Sequence, residues 1–251
     1  MLSISSKPYN KLVSLLSIRA GSINPLWSEL NLKLSRAEFL TVLGPNGVGK
    51  STLLASICGT RKLDSGQIDR PARIGYVPQQ RMFPPDLPLR SCDLVSLALD
   101  HRAPSIRRAG TTIRNRKKVQ QLLEHVGAAG IAQRRVGTLS GGQQQLIRLA
   151  QALAHDPEVL LLDEPLLSLD PAIQTKVVTL INQRRIDAGT GIIFVTHSIN
   201  PVLEHTDKVL YLGPHGHTLG SVAEVMTSEN LSALYGAPVE VLMAHGRMVV
   251  I

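Results

Sequence analysis

GPNGVGKST, Gly44 to Thr52, is the stretch on which the reading of this chain turns. It follows the apolar run EFLTVL (38–43) and leads into STLLASIC (51–58), so a strand, a glycine-rich loop and a helix beginning at Lys50 are expected in that order. Gly44, Gly49, Lys50 and Ser51 match G-x-x-x-x-G-K-[ST], the P-loop pattern. Small residues let backbone N–H groups turn inward around phosphate oxygens, and the start of the helix adds partial positive charge. Gly44, Pro45, Asn46, Gly47, Gly49, Lys50, Ser51 and Thr52 are therefore the candidate phosphate-binding residues. Lys50 would reach the β- and γ-phosphates, and the Ser51 hydroxyl would ligate Mg²⁺. The strand–loop–helix context argues against a merely tight glycine turn.

The second half of such a site is an acidic residue ending a hydrophobic strand, and VLLLDEP (159–165) supplies it. Asp163 is the candidate for the Mg²⁺ shell. Glu164 is the candidate general base facing the attacking water. Its competing reading is a charge at a helix start ahead of Pro165.

Outward from these two stretches, β-like runs alternate with helical ones. LVSLLSI (12–18), SELNLKL (28–34), RIGYV (73–77), GIIFVTH (191–197) and KVLYL (208–212) read as strands, and helices are expected over 142–155 and from Pro171. The pattern turns helical between about residues 90 and 135, with Gly127 and Gly130 as stops. The expected fold is α/β: a P-loop NTPase core with a mixed, largely parallel sheet, an N-terminal antiparallel β element and an inserted α-helical subdomain. One domain spans 1–251. Residues 85–138 plus the helix to 156 form the insertion, and 221–251 a C-terminal appendix.

With 251 residues, 43% of them hydrophobic, the chain can bury a sizeable core. No apolar stretch approaches the roughly 18–20 residues of a membrane span, and the N-terminus lacks the features of a signal peptide. Cys58 and Cys92 read as reduced, buried thiols of a cytosolic protein. The net charge is +8, much of it in HRAPSIRRAGTTIRNRKK (101–118). A solvated helical surface is the simplest account of that stretch, ahead of an acidic partner or anionic lipid. Nucleic acid is disfavoured, because aromatic residues are 3% of the chain and do not interleave the basic ones. His215 and His217 form an H-x-H in a glycine-rich turn, with no carboxylate or cysteine to complete a metal set.

A second glycine pair, in TLSGGQQQ (138–145), opens a helix where glycine is costly. In order, the chain carries GPNGVGKST, the Gln79 of YVPQ, LSGGQ (139–143), LLLDEP, SLD (168–170) and the pair Thr196-His197. That ordered set, covering about residues 12–212, resembles the ATP-binding-cassette (ABC) ATPases. The resemblance implies a head-to-tail dimer with two ATPs between the subunits. Ser140, Gly141, Gly142 and Gln143 of one copy would cap the γ-phosphate held by the other's P-loop. His197 would contact the γ-phosphate and orient the water. Gln79 would touch Mg²⁺ or the water, and Asp170 would communicate across the dimer.

Three positions depart from the pattern. Ala20 stands near where many such ATPases place an aromatic residue against adenine, and Trp27 or Tyr9 is the available substitute. Ala37 replaces a usual glycine and Leu146 a frequent arginine. Weak discrimination between ATP and GTP is expected. RIGYVPQQRMFPPDLPLRSCDLVSLAL (73–99) and the tail resemble the subgroup serving zinc and manganese importers, with iron-chelate importers as neighbours. The implied partners are a transmembrane permease docked near Gln79 and, through it, a substrate-binding protein. The implied place is the cytoplasmic face of the cell membrane. A soluble, non-transport ABC ATPase is the rival class, and a non-catalytic ATP-binding regulator is disfavoured by intact Lys50, Asp163, Glu164 and His197.

Overall fold

A computed structural model of the chain describes residues 14–79, 82–99, 109–244 and 247–250. The chain runs through β1 (Ser14–Ile23), β2 (Trp27–Ser35), β3 (Phe39–Leu43), α1 (Lys50–Cys58), β4 (Ser65–Asp69) and β5 (Ile74–Val77). Three helices follow, α2 (Ser91–Leu99), α3 (Ala109–His125) and α4 (Gly141–Ala152). Then come β6 (Val159–Asp163), α5 (Pro171–Ala188), β7 (Gly191–Val195), β8 (Lys208–Gly213) and β9 (Gly216–Gly220). The tail holds α6 (Val222–Val225), α7 (Ser228–Tyr235) and a hairpin of β10 (Val241–Ala244) and β11 (Arg247–Val250).

The central sheet has the order β5-β6-β7-β3-β8-β9. Its first five strands are parallel and β9 returns antiparallel to β8. A strand covered on both faces needs apolar residues at every position, and β6 is buried throughout. Leu160 and Leu162 join Phe39, Ile192, Phe194 and Val209 on one face, against Ile147 of α4 and Val177 and Ile181 of α5. Leu161 joins Val42, Ile193 and Leu210 on the other, against Leu53, Leu54 and Ile57 of α1. The apolar side of a second sheet, β2-β1-β4, closes that same face with Leu16, Ile18, Leu30, Leu32 and Leu34. There β2 alternates buried and exposed residues, as a half-buried antiparallel strand must.

The expected mixed sheet, antiparallel element and helical stretch are thus present, with additions in β4, β9 and the tail hairpin. SGQID of β4 is polar and mostly exposed, so no apolar period announces it. It is held by its register on β1, with Ile68 opposite Ile18. GHTLG of β9 is a short edge strand, and His217 lies within it rather than in a turn. The tail contributes Val225 and Leu231 to the main core. Both cysteines are free but only partly buried, because Cys58 ends α1 and Cys92 lies in the first turn of α2. Among the described residues no helix is long and apolar enough to cross a membrane. Tyr9, the start of the expected first strand and residues 101–108 of the basic stretch lie outside the described residues.

Candidate active site

The loop between β3 and α1 is shaped by its glycines. Gly44, Gly47 and Gly49 have φ of 140°, 86° and 97°. A Cβ on Gly44 would stand 2.1 Å from the Leu212 carbonyl oxygen, and one on Gly49 2.9 Å from Trp27 Nε1. Gly47 faces open space, so only its backbone angle requires glycine. Trp27 is 5% exposed and packs against Gly49 of the loop, so its ring is buried beside the loop and not open at the surface. Lys50, 6% exposed, donates to the carbonyls of Gly44 at 2.7 Å and Pro45 at 2.8 Å. Burial lowers its pKa, while the charges of Glu164 and Asp163 pull it back up.

Asp163 ends β6, one strand removed from β3 across β7. It is 3% exposed, and its Oδ1 is buried without a hydrogen-bond partner. Burial raises its pKa, and the Glu164 charge adds to the rise. The Ser51 hydroxyl and the charges of Lys50 and His197 oppose it. An orphaned carboxylate oxygen beside a P-loop hydroxyl is a donor set that suits a hard divalent cation, so Ser51 and Asp163 fit Mg²⁺.

Glu164 follows directly, 7% exposed and at a φ of 48°, rare for a side-chain-bearing residue. Its N–H donates to the Val195 carbonyl at 3.0 Å, which pins the turn to the end of β7. No helix begins at Pro165, where the backbone turns instead, so the reading of Glu164 as a helix-start charge has no basis. Gln79 Nε2 donates to Glu164 Oε2 at 3.2 Å. His197 Nε2 lies 2.6 Å from Glu164 Oε1. Gln79, Glu164 and His197, spread over 119 positions of sequence, therefore meet at the C-terminal ends of three adjacent parallel strands.

Ser140, Gly141, Gly142 and Gln143 form a different structure. Ser140 caps α4 in a reciprocal box: its hydroxyl accepts from the Gln143 N–H, and the Gln143 side chain accepts from the Ser140 N–H. A Cβ on Gly142 would meet Ile173 Cγ2 at 3.1 Å, so close approach of α5 is one reason for glycine here. Asp170 caps α5 by accepting from the Ile173 N–H at 3.0 Å. Gln144 was not singled out by sequence. It is fully buried, accepts from the Phe83 N–H at 2.9 Å and donates to the Leu139 carbonyl at 3.2 Å. It ties the serine–glycine turn to the segment that follows Gln79. Three successive glutamines on a helix were the available signal, since one of them had to point inward.

Ala20 lies in a bulge of β1 at a φ of 44°, and its N–H donates to Asn31 Oδ1 at 3.0 Å. Ala37 holds a φ of 54°, the backbone angle that explains a usual glycine at that place.

The family model described as ABC transporter matches residues 27–167. The chain is 35% identical over 223 residues to the zinc import ATP-binding protein ZnuC of Cereibacter sphaeroides, covering 88% of this chain and 86% of that one. It is 34% identical to the molybdate import ATP-binding protein MolC of Haemophilus influenzae, covering 86% and 83%. Among solved structures it resembles an inward-facing ABC transporter described as metal-chelate type, with a TM-score of 0.81 and 29% identity over 95% of this chain and 96% of that one.

Proposed function

The chain belongs to the ABC transporter ATPases, and we propose that within this family it is the ATP-hydrolysing subunit of an importer for a divalent metal ion, zinc or manganese. The observation that carries the hydrolytic reading is Glu164, held between Gln79 and His197 beside the buried Lys50 and Asp163. The cargo is supported by the likeness to zinc import proteins and by the 73–99 segment. The molybdate and metal-chelate relatives favour a second reading, a chelate or oxyanion cargo.

In this proposal Gly44, Pro45, Asn46, Gly47, Gly49, Lys50, Ser51 and Thr52 wrap the phosphates of ATP. Lys50 leaves the carbonyls of Gly44 and Pro45 to meet the β- and γ-oxygens. Ser51, Asp163 and Gln79 would hold Mg²⁺, which would supply neutralisation of phosphate charge when bound. Glu164 takes a proton from the water whose oxygen attacks the γ-phosphorus in line, while the bond to the β-phosphate oxygen breaks. Both Glu164 oxygens are engaged in this structure. The base reaches water when His197 swings from Oε1 to the γ-phosphate. Binding of the nucleotide thus arms the carboxylate.

The second glycine pair acts on the other copy's nucleotide. Ser140, Gly141, Gly142 and Gln143 present a helix N-terminus and backbone donors to the γ-phosphate of a second chain, so ATP joins a head-to-tail dimer. Asp170, capping α5 next to Gly142, relays between the two sites. The chain works as one domain, with 85–138 and the helix to 156 as its helical subdomain. It sits peripherally on the cytoplasmic face of the cell membrane through a permease that a substrate-binding protein feeds.

Cell-associated zinc, manganese, iron and molybdenum, measured in metal-poor medium, test the cargo. A selective fall of zinc or manganese in Lys50→Ala cells is expected. A fall confined to iron or molybdenum supports the second reading, and no change in any metal refutes the metal assignment while leaving the ATPase standing.

A further inference from the structure

The loop that carries His197 does not end in solvent. Thr196 donates its N–H to the Val42 carbonyl at 3.1 Å, and its hydroxyl is bonded to Ser198 on both the N–H and carbonyl sides. Ile199 then plugs into the core, 4% exposed. Asn200 comes next, and its amide grips the backbone of β11. Asn200 Nδ2 donates to the Met248 carbonyl at 2.9 Å, and the Met248 N–H donates to Asn200 Oδ1 at 2.8 Å. The side chain is thereby satisfied like one more residue of the sheet ladder. Asn200 Nδ2 also lies 3.4 Å from Ser198 Oγ, one residue from His197.

The hairpin is fixed at its other end as well. The Val241 N–H donates to Ser228 Oγ at 2.9 Å, and the Val239 N–H to Ser232 Oγ at 2.9 Å. Tyr235 of the same helix meets Tyr211 of β8, hydroxyl to hydroxyl, at 2.7 Å. Between these supports lies a cavity of about 400 Å³. Gly44 and Pro45 of the loop after β3, His197 and Asn200 line it together with Met248 and Val250 of the hairpin. The tail and the reacting end of the site thus share walls, and the Asn200–Met248 pair is a direct polar bridge between them.

We propose that Asn200 is a positioning residue: through Met248 the C-terminal hairpin sets the place of the His197 loop and so the rate of hydrolysis. The inference rests on the reading of His197 as the residue that meets the γ-phosphate. A two-point amide clamp restrains both translation and rotation of the loop, whereas a single apolar contact would let it slide. A displacement of about 1 Å at such a group costs on the order of a hundredfold in rate, so a partial loosening should cost about tenfold. Lifting the hairpin would slow turnover without touching the residues that bind the nucleotide.

Steady-state ATP hydrolysis by the full chain, as Asn200→Ala, Asn200→Asp and Met248→Pro, tests this beside His197→Ala. Asn200→Asp keeps the acceptor for the Met248 N–H and loses the donor. Met248→Pro deletes that N–H, which points away from the β10 partner. A fall in kcat of about tenfold, with KM for ATP within about twofold, is expected for Asn200→Ala and Met248→Pro. A smaller fall is expected for Asn200→Asp, and the double variant should be no worse than the worse single one. Parent rates in Asn200→Ala and Met248→Pro beside an inactive His197→Ala overturn the inference alone. Parent-rate turnover in His197→Ala overturns the reading of His197 and the inference with it. A rise in KM equal to the loss of rate would mark Asn200 as a structural support only and also overturns the proposal.

Discussion

Asp163→Asn keeps the shape of a side chain that is 3% exposed and removes its charge. In the parent, burial raises the carboxyl pKa, Glu164 adds to the rise, and Ser51, Lys50 and His197 only oppose it. When a folded-state pKa lies above the unfolded one, the native chain binds more protons between the two values. Stability therefore falls as pH rises through that window and stays lower above it. The substituted chain lacks this contribution. Its advantage should be absent below the unfolded aspartate value, about pH 4, and complete at neutral pH. The buried, unpartnered Oδ1 sets the size, since an unmet buried polar group costs about 1–3 kcal/mol. The asparagine N–H₂ needs partners of its own, so a net gain of about 1 kcal/mol is expected, or about 2–4 °C in Tm for a chain of this size. Thermal unfolding of both proteins at several pH values reads this directly. Mg-ATP should then reverse the order at neutral pH, stabilising the parent by mass action and the variant little, and the variant should not hydrolyse ATP. A variant melting at or below the parent at neutral pH, or an advantage that persists unchanged in acid, refutes the argument.

Glu164→Gln should bind ATP and lose about a hundredfold or more in turnover, accumulating as a dimer on a sizing column in ATP; turnover at the parent rate would show that another group is the base. Gly47→Ala meets no atom and pays only for its positive φ, about 1–2 kcal/mol. Gly44→Ala collides with the Leu212 backbone and should cost about 3 kcal/mol or more, so the two melting temperatures should separate clearly, and equal losses would contradict the loop geometry. With Trp27 buried and Ala20 in a bulge, ATP and GTP should compete with dissociation constants within about tenfold of one another; a strong preference measured by competition binding would reveal another contact to the base.

What sequence made legible here follows from what each residue has to satisfy. Buried parallel strands such as 159–163 and 191–195 announce themselves, because both faces are covered and positions 159–162 and 192–195 are apolar throughout. The phosphate loop announces itself through glycines that the backbone cannot do without. β4 and β9 stayed hidden, because an exposed edge strand is specified by its neighbour's register and not by its own pattern. The cysteines were misjudged because an apolar neighbourhood in sequence says nothing about which side of a helix end faces solvent. Gln144 and Asn200 were invisible for another reason: their partners are backbone atoms of Phe83, Leu139 and Met248, and backbone partners leave no trace in residue type.

The two glycine stretches illustrate how one residue type answers different demands. In the phosphate loop, Gly44 is required by a φ of 140° and by a carbonyl 2.1 Å from where a Cβ would lie. At Gly142 the backbone is helical and needs no glycine; the constraint is Ile173, in the first turn of α5, 3.1 Å away. That contact sets two helix starts side by side, α4 capped by Ser140 and α5 capped by Asp170. Each cap accepts from an N–H three residues on, Gln143 in one case and Ile173 in the other. A methyl at position 142 would push on Ile173 and hence on the turn that Asp170 closes. The serine–glycine turn and the Ser168–Asp170 turn are therefore one mechanical unit. A phosphate drawn to the first would move the second, and the second leads back through Leu167, Leu166 and Pro165 to Glu164.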